Sequence, residues 1–288
     1  MLYLVVNKYS GNYSAKKITE LKSELDQQFG NYEFINTVLT DNKVLIDLDH
    51  KKIRRNDTIC AVGGDGTVNA CLQFVHDKGL QKKVLLGVIP VGTGNNMIGS
   101  LNLKKGFKKA VQIIKEAKTE KIRYATINGE RAFFNCSFGF TSHILSNRKT
   151  NSLAGYFYDT IRLFPSYKFC RILLERETKE RIIFAGFFIN TKVYMSKFRF
   201  LKKNNQEAGL QFFFIERGSI IDIPARAALT FADPRFYSSM KKNKYIIYPK
   251  KNCIFELDGD IYSSSKCNES VMIENSSAVR VITNNKIK

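Results

Sequence analysis

The stretch Gly63-Gly64-Asp65-Gly66-Thr67 follows an apolar run at residues 58–62 and precedes apolar side chains at helical spacing. Its glycines allow the backbone to turn sharply and to approach a ligand closely. Thr67 opens a helix, where unsatisfied N–H groups and the helix dipole favour a phosphate group. The sequence therefore predicts a phosphate-binding turn between a buried strand and a helix. A tight turn without a ligand is the alternative.

Strand and helix patterns alternate on both sides of this turn. The predicted strands are 2–6, 32–39, 58–62 and 84–89, and the predicted helices are 18–29, 44–50, 68–75 and 107–114. The strand at 84–89 is almost wholly apolar, as a buried parallel strand should be. Alternation of strands and helices is typical of a parallel sheet covered by helices on both faces.

The pattern changes after about residue 121. Asn128-Gly129 is a strong turn signal and predicts a hairpin, and residues 153–164 predict one aromatic-rich helix. Strand-like runs then dominate: 182–189, 210–215, 245–248, 253–257, 271–273 and 278–282. We therefore expect an α/β lobe at 1–121 and a β-rich, mostly antiparallel sandwich lobe at 122–288. The sequence leaves open whether the C-terminal end packs back on the first lobe.

A second glycine-rich turn, Pro90-Val91-Gly92-Thr93-Gly94, follows another predicted strand, and Ser10-Gly11 follows the first strand. Ligands of parallel α/β sheets bind beyond the carboxyl ends of the strands, so we expect these turns to face the same cleft. Asp65 stands beside the expected phosphates. A carboxylate there is favourable only with a cation or a donor between the two groups, which indicates Mg²⁺ or an orienting role.

These motifs resemble those of a known family. The quoted segments are GGDGT followed by Val68-Asn69, IPVGTGNN at 89–96, NKYSG at 7–11, FNCSFGF at 134–140 and LDGD at 257–260. In this order they are similar to the signature of the diacylglycerol kinases and their bacterial relatives, a group that includes sphingosine kinases. GGDGT alone is shared with NAD kinases, whereas the second turn and the Asp258-Gly259-Asp260 segment favour the lipid kinases.

The resemblance implies roles for individual residues. The residues that would bind ATP are Asn7, Ser10, Gly11, Thr40, Gly63, Gly64, Asp65, Gly66, Thr67, Val68, Asn69, Gly92, Thr93, Gly94 and Asn95. Asp260 would replace the catalytic glutamate of the family and act as general base on the lipid hydroxyl, and Asp65 would be the second catalytic residue. Without the resemblance, Asp260 is read as an ordinary turn residue.

The chain departs from the family pattern at acidic positions. Asn96 and Arg123 stand where aspartates are usual, and Ala208 interrupts a usual metal-binding segment. Asp260 is one methylene shorter than glutamate. Because asparagine is a poor Mg²⁺ ligand and alanine is none, the sequence leaves the protein ligands of Mg²⁺ unknown. ATP and Mg²⁺ remain the expected cofactors.

The net charge of +20 attracts anions, and an acidic membrane face is the partner that suits a lipid kinase. The longest uncharged apolar run, 182–189, is far shorter than the roughly 20 residues of a spanning helix. We therefore expect a cytoplasmic protein that binds peripherally to the inner face of the membrane. The six cysteines, without any C-x-x-C pair, are interpreted as reduced, buried thiols.

The predicted function is ATP-dependent phosphorylation of a lipid hydroxyl, with diacylglycerol as the leading substrate. A sphingoid base or another lipid is the first alternative, and an NAD-kinase-like enzyme is the second. A non-catalytic nucleotide- or nucleic-acid-binding protein on the kinase fold is the third, because of the charge and the replaced acidic residues. Nucleic acid is not expected as a partner of the kinase itself. The oligomeric state stays open, a homodimer included.

Overall fold

The computed structural model of the protein divides into two compact units, Met1–Tyr124 with Thr191–Gln206 and Ser276–Lys288, and Ala125–Asn190 with Glu207–Asn275. The residues that the structure describes are 1–8, 13–40, 43–91, 99–103, 106–147, 153–191, 193–194, 198–199, 209–216, 238–251, 253–262 and 269–284. The predicted boundary at residue 121 stays a prediction.

The elements follow one another along the chain in two series. The first is β1 (Leu2–Val6), α1 (Ala15–Gln28), β2 (Tyr32–Thr40), β3 (Lys43–Ile46), a 3₁₀ turn (His50–Lys52), β4 (Thr58–Gly63), α2 (Asp65–Asp77), β5 (Leu85–Pro90), α3 (Phe107–Glu116) and β6 (Thr119–Ile127). The second is β7 (Arg131–Phe133), β8 (Asn135–Gly139), α4 (Phe140–Asn147), α5 (Leu153–Leu163), a 3₁₀ turn (Phe164–Ser166), β9 (Cys170–Leu174), β10 (Arg181–Ile189), β11 (Val193–Tyr194), β12 (Phe198–Arg199), β13 (Leu210–Glu216), β14 (Ser238–Lys242), β15 (Lys244–Lys251), β16 (Phe255–Leu257), β17 (Asp260–Tyr262) and β18 (Val271–Ile282).

The central strands of the first unit pair in parallel, as the sequence predicts. β1 lies between β2 and β4, and β4 pairs with β5 on its other side. The end of β18 runs parallel to β5, with Arg280 opposite Leu85. Every residue of β1 and β4 is buried, which is why both strands are apolar in sequence.

The helices of the first unit are amphipathic. α1 is capped by Ser14, whose hydroxyl accepts the N–H of Lys17 at 3.3 Å, and it buries Leu21 and Leu25. α3 buries an apolar stripe and packs against α1. None of the helices in the described ranges has the length and hydropathy that crossing a bilayer requires.

The predicted helix at 44–50 is wrong. β3 occupies its first half as a strand antiparallel to β2, with Val38 opposite Leu45, and a 3₁₀ turn follows at His50–Lys52. The carboxylate of Asp49 accepts the N–H of Lys51 at 3.0 Å and begins that turn. A helix of two turns is marginal in water, whereas the open edge of β2 offers backbone groups that a short strand can pair with.

The second unit is antiparallel in the pairings that the described residues make, which confirms the prediction for this half. β10 lies between β8 and β13 and also pairs with β9, and β15 pairs with both β9 and β18. The core is aromatic, and the rings of Phe188 and Phe212 stack with centroids 4.4 Å apart. The hairpin of β6 and β7 forms at Asn128 and Gly129, whose φ angles are +54° and +71°.

The prediction that all cysteines are reduced is wrong for one pair. Cys170 at the start of β9 and Cys253 ahead of β16 form a disulfide with their Cα atoms 5.2 Å apart. These residues are 83 positions apart and become neighbours because β15, which leads to Cys253, pairs with β9. The thiols of Cys60, Cys71 and Cys136 are free and buried, as predicted, and burial raises the pKa of each. A further cysteine, Cys267, lies outside the described residues.

Replacing Cys253 by serine should lower the free energy of unfolding by up to about 4 kcal/mol, because the cross-link restricts the unfolded chain over a long loop. Urea unfolding without reductant measures the change. Wild-type protein treated with dithiothreitol is the control, and it should unfold at the same urea concentration as the Cys253→Ser variant. The disulfide would be disproved by alkylation of all six cysteines in denatured, unreduced wild-type protein.

Candidate active site

The predicted phosphate turn joins β4 to α2. β4 ends at Gly63, and Gly64 is the N-cap of α2, so no side chain caps the helix. The carbonyl of Gly64 accepts the N–H groups of Thr67 and Val68 at 3.0 and 3.1 Å. The first-turn amides of such a helix end, together with its dipole, suit an anion.

The turn has an accessible half and a buried half. Gly64, Asp65 and Gly66 are half-buried, whereas the side chains of Thr67 and Asn69 are almost fully buried. The side chain of Thr67 packs closely against Gly63. A Cβ on Gly63 would lie 2.8 Å from the Cβ of Thr67 and would also overlap the hydroxyl oxygen of Thr67. Thr67 thus packs against the turn from its buried side and requires a glycine at position 63.

Register brings other predicted residues to the same edge of the sheet. Val6 lies opposite Val62, and Gly63 lies opposite Pro90. The N–H of Val91 donates to the carbonyl of Gly63 at 3.3 Å, so the second turn starts beside the first. Asn7, half-buried, follows Val6 at this edge.

Other predicted ATP contacts are not described in full. Thr40 ends β2, and its side chain is not described. The predicted residues that lie outside the described ranges are Ser10, Gly11, Gly92, Thr93, Gly94 and Asn95.

The metal-binding positions of the family can be followed only in part. Arg123 lies half-buried in β6, and Asn96 and Ala208 lie outside the described residues. Among the residues that the structure describes, no group of three or more His, Cys, Asp or Glu side chains could hold a metal ion. We therefore assign Mg²⁺ no protein ligands.

Asp260 of the second unit follows a tight hairpin turn. Asp258 and Gly259 connect β16 to β17 with φ angles of +48° and +101°, and Leu257 lies opposite Asp260. Positive φ at both central positions is the pattern of a type I′ turn, for which Asp-Gly is a preferred sequence. Asp260 is exposed at the start of β17.

The pKa of the Asp260 carboxyl is raised, because neighbouring atoms remove part of its hydration. The guanidinium of Arg131, in β7, lowers the same pKa to a smaller extent. A carboxylate whose pKa is raised in this way is a stronger base than that of an ordinary aspartate.

Asp258 anchors this turn. Its side chain is buried, and its two carboxylate oxygens accept the N–H groups of Phe134 and Asn135, each at 2.8 Å. Its own N–H donates to the carbonyl of Asn135 at 3.0 Å. The turn that carries Asp260 is thereby fixed to the junction of β7 and β8.

Glu256, in β16, forms a second anchor. It is 3% exposed, and its carboxylate accepts the hydroxyl of Ser137 at 2.6 Å and the N–H of Gly259. The hydroxyls of Ser137 and Ser142 lie 3.2 Å apart. Sequence reasoning missed both carboxylates, since Asp-Gly signals a turn but nothing local signals that a nearby carboxylate is buried.

The helix predicted at 153–164 is α5, and its two faces differ. Tyr158 and Ile161 are 63% and 62% exposed, whereas Asp159 and Leu163 are buried. α4 packs against both α5 and β17, where Ile261 is 42% exposed beside Asp260. The elements around α4 thus present apolar side chains to the surface of this unit.

The glycine turn lies within a segment of the chain that matches a known family. Residues 1–127 match the family model of the diacylglycerol kinase catalytic domain, so the resemblance seen in the motifs is confirmed for this part of the chain.

Curated relatives match a short part of the chain. Proteins named "Probable lipid kinase YegS-like" from Yersinia pestis (strain Pestoides F) and Yersinia pseudotuberculosis serotype O:1b (strain IP 31758) are each 32% identical over 82 residues. Those residues make up 28% of this chain and 28% of each relative.

Solved structures show the same fold at low identity. A diacylglycerol kinase from Bacillus anthracis str. Sterne has a TM-score of 0.71 at 19% identity, covering 98% of this chain and 96% of that one. Yeast NADH kinase complexed with NADH has a TM-score of 0.53 at 10% identity, covering 99% of this chain and 84% of that one. The predicted fold class is confirmed.

Gly63→Ala should lower the free energy of unfolding of the nucleotide-free protein by about 2 kcal/mol, because the new Cβ would force Thr67 out of its place. Gly30→Ala is the matched control, since a Cβ there would meet nothing within 4 Å, and it should change stability by less than about 0.5 kcal/mol. Urea unfolding measures both variants. Equal stability of the two would show that Thr67 does not restrict position 63.

Proposed function

We propose that this protein is an ATP-dependent lipid kinase that phosphorylates a lipid hydroxyl, with diacylglycerol as the leading substrate. The observation that carries the proposal is the match of residues 1–127 to the diacylglycerol kinase catalytic domain. The geometry of the turn at Gly63–Asp65 supports it, because a half-buried helix start without a side-chain cap suits a phosphate.

In this proposal the first unit binds and orients ATP. The first-turn amides of α2 hold phosphate oxygens, and Asn7 and the start of the second turn at Val91 line the same edge. Asp65 orients the phosphates or the ion bound to them. Mg²⁺, entering with ATP, would neutralise charge on the phosphate oxygens.

Asp260 supplies the base. Its carboxylate accepts the proton of the lipid hydroxyl as that oxygen forms a bond to the γ-phosphorus. The bond between the γ-phosphorus and the β–γ bridging oxygen breaks, and ADP leaves. The raised pKa of Asp260 suits this step because a carboxylate with a higher pKa is a stronger acceptor of the hydroxyl proton.

The surface of the second unit supports a lipid as the acceptor. Tyr158 and Ile161 on α5 and Ile261 on β17 are exposed apolar side chains, which suit contact with acyl chains. The net charge of +20 favours an anionic membrane surface as the place where the lipid is met. We therefore propose peripheral binding at the cytoplasmic face of the membrane.

Other functions on the same fold are weighed by specific observations. A sphingoid base or another lipid alcohol would use the same apolar surface. An NAD-kinase-like activity has the fold likeness to yeast NADH kinase in its favour, but the match to the diacylglycerol kinase domain speaks against it. A non-catalytic nucleotide- or nucleic-acid-binding role is favoured by Arg123, which stands where the family has an aspartate.

Transfer of radiolabelled phosphate from ATP to a total lipid extract, with and without Mg²⁺, tests the proposal. Wild-type protein should label a lipid, and Asp65→Ala and Asp260→Ala should each abolish the labelling. Asp77→Ala, which removes an exposed carboxylate at the other end of α2, is the control and should be as active as wild type.

Two results would decide against this assignment. Wild-type protein that labels no lipid at any Mg²⁺ concentration rules out the lipid kinase, and labelling of added NAD instead selects the dinucleotide alternative. Near-normal activity of Asp260→Ala rules out Asp260 as the base while leaving the kinase activity intact.

The acidic limb of the pH–rate profile should follow Asp260. The base must be ionised, so kcat falls as the pH falls through a pKa above the ordinary 3.8 of aspartate. Arg131→Ala removes a charge that lowers this pKa, and it should therefore move the limb to higher pH. Arg131→Lys keeps the charge and should leave the limb near its wild-type position. If the acidic limb of Arg131→Ala stayed at its wild-type pH, that limb would not report the ionisation of Asp260.

A further inference from the structure

Glu256 occupies a central position in the hairpin that carries Asp260. β16 lies between β8 and β17, and Glu256 is opposite Ser137 on one side and Ile261 on the other. Its side chain is 3% exposed, in a strand whose neighbouring residues Phe255 and Leu257 face the aromatic core. A buried carboxylate is unfavourable unless hydrogen bonds replace its lost hydration.

The hydrogen bonds of Glu256 connect two separate elements. One oxygen accepts the hydroxyl of Ser137, in β8, at 2.6 Å, and the other accepts the N–H of Gly259 in the turn. Ser142, in α4, extends this chain, with its hydroxyl 3.2 Å from that of Ser137. Glu256 thus links the turn to the middle of the sheet and to a helix.

The hydrogen bond from the Gly259 N–H to Glu256 lies one residue ahead of the proposed base, Asp260. In a two-residue hairpin turn the ladder pairs the flanking residues, here Leu257 and Asp260, so the N–H of the second turn residue needs another partner. Glu256 provides that partner. It fixes the peptide group between Asp258 and Gly259, one residue ahead of Asp260.

We propose that Glu256 is a positioning residue for Asp260, and this inference rests on the proposed function. Asp258 holds the turn from the β7–β8 junction, and Glu256 holds it from within β16. Asp260 has a short side chain, so the place of its carboxylate is set mainly by the backbone that precedes it. A displacement of about 1 Å in a reacting group lowers a rate on the order of 10²-fold.

Kinetics of Glu256 variants test the proposal. Glu256→Ala should lower kcat for lipid phosphorylation by about 10- to 100-fold, with the KM for ATP within about twofold of wild type. Glu256→Gln should keep kcat within about threefold, since its amide oxygen can accept from Gly259 and its NH₂ group can donate to Ser137. Glu256→Asp keeps the charge but withdraws the carboxylate from Gly259, so it should lose kcat like the alanine variant.

Glu177→Ala is the matched control. Glu177 is a half-buried carboxylate of the same unit, and it accepts two hydrogen bonds from Arg181, at 2.7 and 2.9 Å, near the start of β10. Its removal should affect stability without a loss of kcat. A loss of kcat in Glu177→Ala equal to that in Glu256→Ala would show that any damage to this unit lowers the rate, and would overturn the proposal.

Amide hydrogen exchange provides a second readout that needs no activity. The Gly259 N–H should exchange at least tenfold faster in Glu256→Ala and Glu256→Asp than in wild type, and at nearly the wild-type rate in Glu256→Gln. Folded Glu256→Asp protein with wild-type kcat and wild-type exchange would overturn the proposal. Wild-type protein without kinase activity would overturn the proposed function instead, and exchange at Gly259 would still show whether Glu256 holds the turn.

Discussion

The parallel pairing of β4 with β1 and β5 is the constraint on which the first unit of the protein depends. β4 is buried along its whole length, so its register is fixed on both sides. Gly63 then ends the strand opposite Pro90, and Asn7 follows a residue that lies opposite Val62. Chain segments that are distant in sequence therefore reach one edge of the sheet, where a helix start faces them.

The second unit places its candidate base by a different means. Asp260 stands in a short edge hairpin, and such a hairpin has little packing of its own. Two buried carboxylates compensate for this. Asp258 accepts two N–H groups of the β7–β8 junction, and Glu256 accepts the N–H of Gly259 within the turn. Charge-assisted bonds of this kind are stronger than neutral ones and have a defined direction.

Other residues stand in this chain at several positions where the family pattern has acidic residues. Arg123 in β6 is a cation where an aspartate is usual, and the described residues contain no acidic cluster for a metal. In the proposed function, the amides of α2 and the ion that accompanies ATP would neutralise the phosphate charge. The apolar side chains exposed on α5 and β17 would suit contact with the lipid acceptor of the proposed function.

Local patterns along the chain were enough to predict part of this structure. Hydrophobic periodicity predicted the parallel strands and most helices, and glycine spacing predicted the turn at residues 63–67. The folded chain was needed to show that residues 43–46 pair as a strand, that Cys170 bonds to Cys253, and that Glu256 is buried. The reason is physical: strand pairing at an open edge, a bond between distant thiols and the burial of a polar group depend on neighbours that are far away in the chain.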